Sequence, residues 1–381
     1  MRLYEYEAKA IFNRFGIPIP QGWLVSTSKD ARNAVSKLSR PAVLKAQLLI
    51  GGRGKSGGIR FVKTPEEAEE EAEKLFKTEI GGLKVTKLLI EEKIDIVKEL
   101  YLSVSVDSTY GSPIVMASSE GGVDIEDIAR IHPEKIIMFR PDIIKGLREH
   151  EARRILKQVG LSGSILIEAT NILCRLYQVF RAYDAEIAEI NPLAVTNDRK
   201  VIAIDARLNV DDHALFRHPE LEALRGERFE NPLELEGHRR GVNYVDLKGN
   251  IAVMGNGAGL VMMLLDAIKI YGGQPACFLD AGGGMTAQRV ENALDLLLMK
   301  AERDRDVKVI FFAFWFMISP AEETTKGFLN AISKRRPQIP IIGVIQGVGA
   351  QQAAETLRKA GIKCYPTIED GIKAAIEIAK G

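Results

Sequence analysis

The stretch NIAVMGNGAGLVMMLLDAIKIYGGQPACFLDAGGG, residues 250–284, decides the fold of the C-terminal part of the chain. IAVMG reads as a short buried strand that runs into a glycine turn. An apolar stretch at helical spacing follows, then a second buried-strand run, ACFLD, and a second glycine turn. The rhythm continues downstream, where VIFFAFWF (309–316), PIIGVI (340–345) and CYP (364–366) each precede a helical stretch. Strands alternating with helices predict a doubly wound parallel sheet, whose ligands bind beyond the carboxyl ends of the strands. The turn GNGAGL (255–260) imitates a dinucleotide fingerprint, and Asp280 stands where a ribose partner would. Leu260 takes the place of the third glycine, so the turn is read as a seat for some other ligand.

Upstream, residues 211–245 are polar and broken by His-Pro and Asn-Pro pairs, which predicts a linker. The expected domains are 1–236 and 237–381. In the first, Leu3–Phe15 reads as an amphipathic helix ended by Gly16. Pro41–Leu49 reads as a strand flowing into the loop GGRGKSGG (51–58), and Thr64 opens a helix with Pro65 at its first position. Further strands are expected near 87–91, 100–106 and 114–118, helices at 146–160 and 165–182, and a hairpin at 185–208. Two or three domains suit a chain of 381 residues. Its 52 basic and 51 acidic side chains nearly cancel, so no global field draws it to nucleic acid or anionic lipid. Val309–Ile318, the longest apolar run, is too short to span a bilayer, and the first residues show no secretory core, so a cytoplasmic location is expected. Three scattered cysteines argue against a disulfide framework or a zinc site.

Two features carry chemistry. Gly51, Gly52, Gly54, Gly57 and Gly58 let backbone approach a phosphate chain, while Arg53, Lys55 and the upstream Lys45 supply positive charge. The spacing is not that of a P-loop, and by itself it equally fits a surface loop with incidental basic residues. The second feature is AEIAEINPLAVTNDRKVIAIDARL (185–208). Folded symmetrically about Asp198, it sets Asn191 opposite Asp205 and Glu189 opposite Arg207. These four then share one face, with Ile190, Ile202 and Ile204 on the other. An Asp beside an Asn offers the hard oxygens that nucleotide-bound Mg²⁺ takes, although an exposed polar sheet face would look alike. The five histidines lack any partner at a catalytic spacing.

Nearly the whole chain resembles the β subunits of the succinyl-CoA synthetase family. The matching stretches include LYEYEAKAIFNRFGIPIP, VLKAQLLIGGRGKSGG, DIVKELYLSVSVD, SEGGVDIE, IAEINPLAV, DDHALFR, NYVDLKGNI and GGQPACFLDAGGG. The resemblance implies an ATP-grasp region followed by a flavodoxin-like CoA-ligase domain. It implies an α subunit partner, as heterodimer or α2β2, that carries a phosphohistidine. The implied reaction is succinate + CoA + ATP = succinyl-CoA + ADP + phosphate, with one Mg²⁺ per β subunit and neither nucleic acid nor membrane as partner. Lys45, Gly52, Arg53 and Gly54 match phosphate contacts, and Glu91, Ile94 and Glu99 match the nucleotide pocket. Asn191 and Asp205 match the metal ligands, Glu189 the carboxylate that orients the phosphohistidine, and Asn256 a substrate-side contact. Phe316, Met317 and Ile318 stand at the substrate-side turn where the family carries Gly-Gly, with a capping box of Ser319, Pro320 and Glu322 behind them. The side chains of Phe316 and Met317 are expected to hinder close approach there, and Glu322 and Glu323 to oppose an anion. Residues 345–349 are also less polar than the family's run. These departures leave open an acid other than succinate, such as malate or citrate, or a nucleotide-binding regulatory subunit without turnover.

Overall fold

The computed structural model describes residues 1–50, 56–229, 231–317 and 321–381. The chain forms two compact units, Met1–Glu222 and Ala223–Gly381.

Besides the two-stranded ribbon of Glu79–Ile80 and Leu83–Lys84, the first unit holds two main antiparallel sheets. The larger runs in the order Val201–Ala203, Ala185–Thr196, Ile96–Asp107, Ser112–Ser118, Ile136–Phe139, and Ala206–Val210 also pairs with Ala185–Thr196. Leu100, Leu102, Val104, Ala188, Ile190 and Leu208 form a core with residues of three helices, Glu5–Arg14, Glu149–Gln158 and Gly163–Ala182. The N-terminal helix stops where the sequence predicts, at Gly16, whose φ of 77° suits glycine. The smaller sheet runs Gly22–Val25, Leu88–Glu92, Ala42–Ala46, Ile59–Val62. It packs on helices Ser28–Val35 and Pro65–Phe76. Both helices start at a threonine whose side chain accepts an N–H of the first turn: Thr27 from Asp30 and Thr64 from Glu67. The elements Ile125–Ile131 and Ile136–Phe139 were not expected from sequence. The strand IIMF shows no alternation, and the charged run before it reads as loop.

The second unit follows the βα rhythm. Its parallel strands, Ile251–Gly255, Pro275–Asp280, Val309–Phe316, Ile341–Gly347 and Lys363–Tyr365, lie in the order second, first, third, fourth, fifth. That is the flavodoxin-like, doubly wound order. Asn243–Asp246 adds an antiparallel edge beside Pro275–Asp280. Alternate residues serve opposite faces. Val309, Phe311 and Ala313 pack with helices Ala258–Ile270 and Ile368–Lys380. Ile310, Phe312, Phe314 and Phe316 pack with helices Ala287–Arg303, Ala321–Arg335 and Ala350–Lys359. Both faces are covered, so the strands read as unbroken apolar runs.

The expected linker needs correction. Its later part is ordered structure of the second unit: helix Pro232–Arg239, capped by Asn231, and strand Asn243–Asp246. Leu233 and Tyr244 are buried in that unit's core. Arg240 pairs with Asp295 of helix Ala287–Arg303, and Glu234 accepts the Asp246 N–H. The polar residues that suggest a linker are therefore the ion-pairing face of a packed helix.

Gly327 lies inside helix Ala321–Arg335, where a Cβ would sit 2.5 Å from the Ala287 carbonyl and 2.7 Å from Val290 Cβ. In an open helix Gly→Ala would gain about 1 kcal/mol. Here Gly327→Ala is expected to destabilise by about 1–3 kcal/mol through overpacking. Chemical denaturation of the purified chain measures this, and a raised midpoint would contradict the close helix contact.

Candidate functional site

A cleft of about 980 Å³ opens within the first unit, lined from the strands of both its sheets and from the segment around Gly122. Seven of the residues singled out from sequence line it together: Lys45, Glu91, Ile94, Glu99, Glu189, Asn191 and Asp205. Gly52, Arg53 and Gly54, with the rest of 51–55, lie outside the described residues.

The hairpin supplies one wall. Its register is symmetrical about Asp198, with Val195 opposite Val201 and Glu189 opposite Arg207, as the sequence predicts. Between these two paired stretches the ladder is interrupted, and the core-facing parity changes. Ala188, Ile190, Ala206 and Leu208 are buried on one side of the interruption; Leu193, Val195, Val201 and Ala203 on the other. Ile202 and Ile204 therefore leave the greasy face expected for them, and Ile204 instead lines the cleft. Asn191 and Asp205 sit at this irregular point. Asn191 holds the neighbouring loop with both ends of its amide: Oδ1 accepts from Gly122 N–H at 2.7 Å, and Nδ2 donates to the Val123 carbonyl at 3.0 Å. Asp205 Oδ1 accepts the Ala206 N–H at 2.8 Å. Both side chains carry oxygens of the kind a hard cation takes.

Glu189 lies 4.0 Å from Arg207. Burial pushes its carboxyl above the usual range, Arg207 opposes that, and the charge of Asp205 adds to it. Glu99 meets the loop 119–123 from the floor. A Cβ on Gly122, whose φ is 70°, would fall 2.2 Å from Glu99 Oε2, and one on Gly121 would fall 2.4 Å from the Leu100 carbonyl. The paired glycines of SEGGVDIE are thus required by close approach on both sides.

Lys45 is less accessible than the sequence suggests. It is 6% exposed, and its ammonium lies 2.8 Å from Glu5, 2.8 Å from Glu91 and 2.6 Å from the Ile204 carbonyl. Burial works against its charge, but Glu5, Glu91 and Asp205 outweigh this and hold its pKa above the ordinary lysine range. The sequence reading missed Glu5 and Lys9, which complete this cluster from the N-terminal helix. Their i,i+4 spacing was the available signal, yet it looks like any solvated helix pair.

The second unit has its own polar edge, where the strand ends meet the glycine turns. Asp280 is 5% exposed and accepts the N–H groups of both Gly257 and Gly282 at 2.7 Å, so it clamps two turns together rather than awaiting a ribose. Asn256 spends its amide on the Trp315 main chain, donating at 2.8 Å and accepting at 2.9 Å. Phe316 does not obstruct this edge as expected. Strand parity buries it, 1% exposed, beside Phe314. Met317 is 81% exposed; Ile318 and the start of the expected capping box, Ser319 and Pro320, lie outside the described residues. Glu323 accepts the Ala287 N–H at 2.9 Å, placing a carboxylate at the start of helix Ala287–Arg303.

Two family models match the chain: an ATP-grasp domain over residues 2–195 and a CoA-ligase over residues 254–378. Among solved structures, the ATP citrate lyase of Methanothrix soehngenii, in complex with citrate and coenzyme A, superposes with a TM-score of 0.79 at 18% identity. It covers 99% of either chain, a likeness of fold. The ADP-forming succinate–CoA ligase β subunit of Ignicoccus hospitalis is 44% identical over 100% of both chains. The GDP-forming β subunit of Thermus thermophilus is 42% identical over 100% of both. With an ATP-grasp domain followed by a CoA-ligase domain, and this identity along its whole length, the chain belongs to the family of succinate–CoA ligase β subunits.

Proposed function

We propose that this chain is the nucleotide-binding β subunit of an acid–CoA ligase. Together with an α subunit it converts succinate, CoA and ATP into succinyl-CoA, ADP and phosphate, through a phosphohistidine on the α subunit. The observation that carries this reading is the gathering of Lys45, Glu189, Asn191 and Asp205 on one cleft of a size that suits a nucleotide.

Within that cleft the chain's work is positioning and charge neutralisation. Lys45 offers a point charge to the phosphates, with Gly52, Arg53 and Gly54 completing the grip; Glu91, Ile94 and Glu99 flank the nucleotide. Asn191 Oδ1 and the Asp205 carboxylate would hold one Mg²⁺, and these two oxygen donors fit an ion that takes its remaining ligands from phosphate and water. When bound, the ion offsets negative charge on the phosphates. Glu189, half-buried and within the field of Asp205, orients the partner's imidazole. The α and β subunits assemble as a heterodimer or as α2β2. Three free cysteines, two of them buried, support a reducing, cytoplasmic setting.

A second reading concerns the acid alone. Met317 and Val348, 81% and 79% exposed, stand at the ends of neighbouring strands, and the Asn256 amide is already engaged by Trp315. With these two side chains at the edge, the second reading is an acid other than succinate, such as malate or citrate.

Asp205→Ala is expected to slow phosphorylation of the partner histidine by about 10²–10³-fold, the usual loss on removing one preorganised electrostatic group. Transfer of label from γ-labelled ATP to the α subunit reads this; near-normal labelling would remove Asp205 from the site. Gly122→Ala should break the contact with Glu99, release Asn191 and weaken Mg–ADP binding. Calorimetry checks it, with unchanged affinity counting against the loop's role. Thioester formation by the reconstituted pair across an acid panel separates the two acid readings, since a clear preference for succinate at ordinary rates defeats the second.

A further inference from the structure

Lys45 cannot serve a phosphate and two carboxylates equally well. Its ammonium is shared between Glu5 and Glu91, both at 2.8 Å. If it turned to a phosphate, two buried carboxylates, 3% and 2% exposed, would lose a counter-ion. A carboxylate left alone in such a place is strongly disfavoured. Lys9 answers this problem. It is 2% exposed and reaches the same three acceptors: Glu91 at 2.5 and 2.7 Å, Glu5 at 2.9 Å and the Ile204 carbonyl at 2.6 Å. The two lysines are thus duplicate cations on one set of acceptors. Only Lys45 lines the cleft, while Lys9 stands behind it.

We propose that Lys9 is a positioning residue that keeps Glu5 and Glu91 compensated, so that Lys45 is released to a nucleotide phosphate. The proposal rests on the nucleotide reading of the cleft. It also gives a role to the buried pair Glu5–Lys9, of which Glu5 lines the cleft and Lys9 does not. Ile204 precedes Asp205, so the shared carbonyl fixes the hairpin wall against the same two ammonium groups. In the absence of Lys9, one lysine faces two carboxylates and stays with them. In the absence of Glu5, the cluster loses one negative charge, and the cleft becomes more attractive to an anion.

The test measures binding of Mg–ADP and of adenosine to the full chain by calorimetry, with thermal melting alongside. Lys9→Met is expected to weaken Mg–ADP about tenfold or more, as loss of a buried counter-ion does, while adenosine binding stays within about twofold. Glu5→Gln is expected to lower the melting temperature yet keep or tighten Mg–ADP binding. The double variant Glu5→Gln/Lys9→Met should return Mg–ADP affinity toward that of the unaltered chain. A purely structural cluster would instead lower stability and affinity together in every variant, and that result overturns the proposal. So does Lys9→Met binding Mg–ADP normally. If Lys9→Met does not fold, the opposed effects of Glu5→Gln on melting and on affinity decide alone. An unaltered chain that binds neither ligand overturns the nucleotide reading itself, whereas normal binding by the unaltered chain with no split among variants overturns only the role of Lys9.

Discussion

Four side-chain charges withdrawn from water, and one backbone carbonyl, hold the first unit's cleft in register. Glu5 and Lys9 come from the N-terminal helix, Lys45 and Glu91 from neighbouring strands of the small sheet, and the Ile204 carbonyl from the hairpin of the large sheet. An unpaired ion at such depth would cost several kcal/mol, so the members are satisfied only as a set. The two main sheets of this unit are thereby tied at a polar seam, while their apolar cores form separate clusters. That is the appropriate kind of seam for a cleft that must accept a polyanion, because its charges are already organised before any ligand arrives.

Much of this was legible in the sequence, and the reasons are local. The turn Thr196–Lys200 fixes the hairpin's symmetry, and a period of two then gives Glu189 opposite Arg207 without knowledge of any other segment. The strands of the second unit announce themselves because helices on both faces demand apolar residues at every position. The errors lie where distant segments decide. The hairpin changes its buried parity between Ile190 and Leu193, where its register with the strand Ile96–Asp107 also shifts; Pro192, with no N–H for a ladder, is a local sign of this that alternation alone does not read. Nothing local says that Glu5 and Lys9 are buried, since the lid over them is made of the small sheet and Ile204. The polar residues of 232–240 look like solvent-facing linker until their partners on helix Ala287–Arg303 are known.

The glycine turns of the second unit show the same division between form and use. GNGAGL and DAGGG look like ligand seats, and their shared feature is geometric. One carboxylate, Asp280, binds the N–H groups of both and fixes their spacing. A fingerprint read by residue type alone would give that aspartate to a ribose; read with its hydrogen bonds, it is the brace that shapes the edge.

Helices cover both faces of the second sheet, and at the carboxyl ends of its strands side chains escape the packing. Phe316 ends the buried register, and the next residue, Met317, is 81% exposed, as Val348 is at 79% on the adjoining strand. Residues at these strand ends belong to neither core. Heritable change can therefore accumulate there with little risk to folding, and a lineage built on this scaffold can wander among chemistries while its architecture stays fixed.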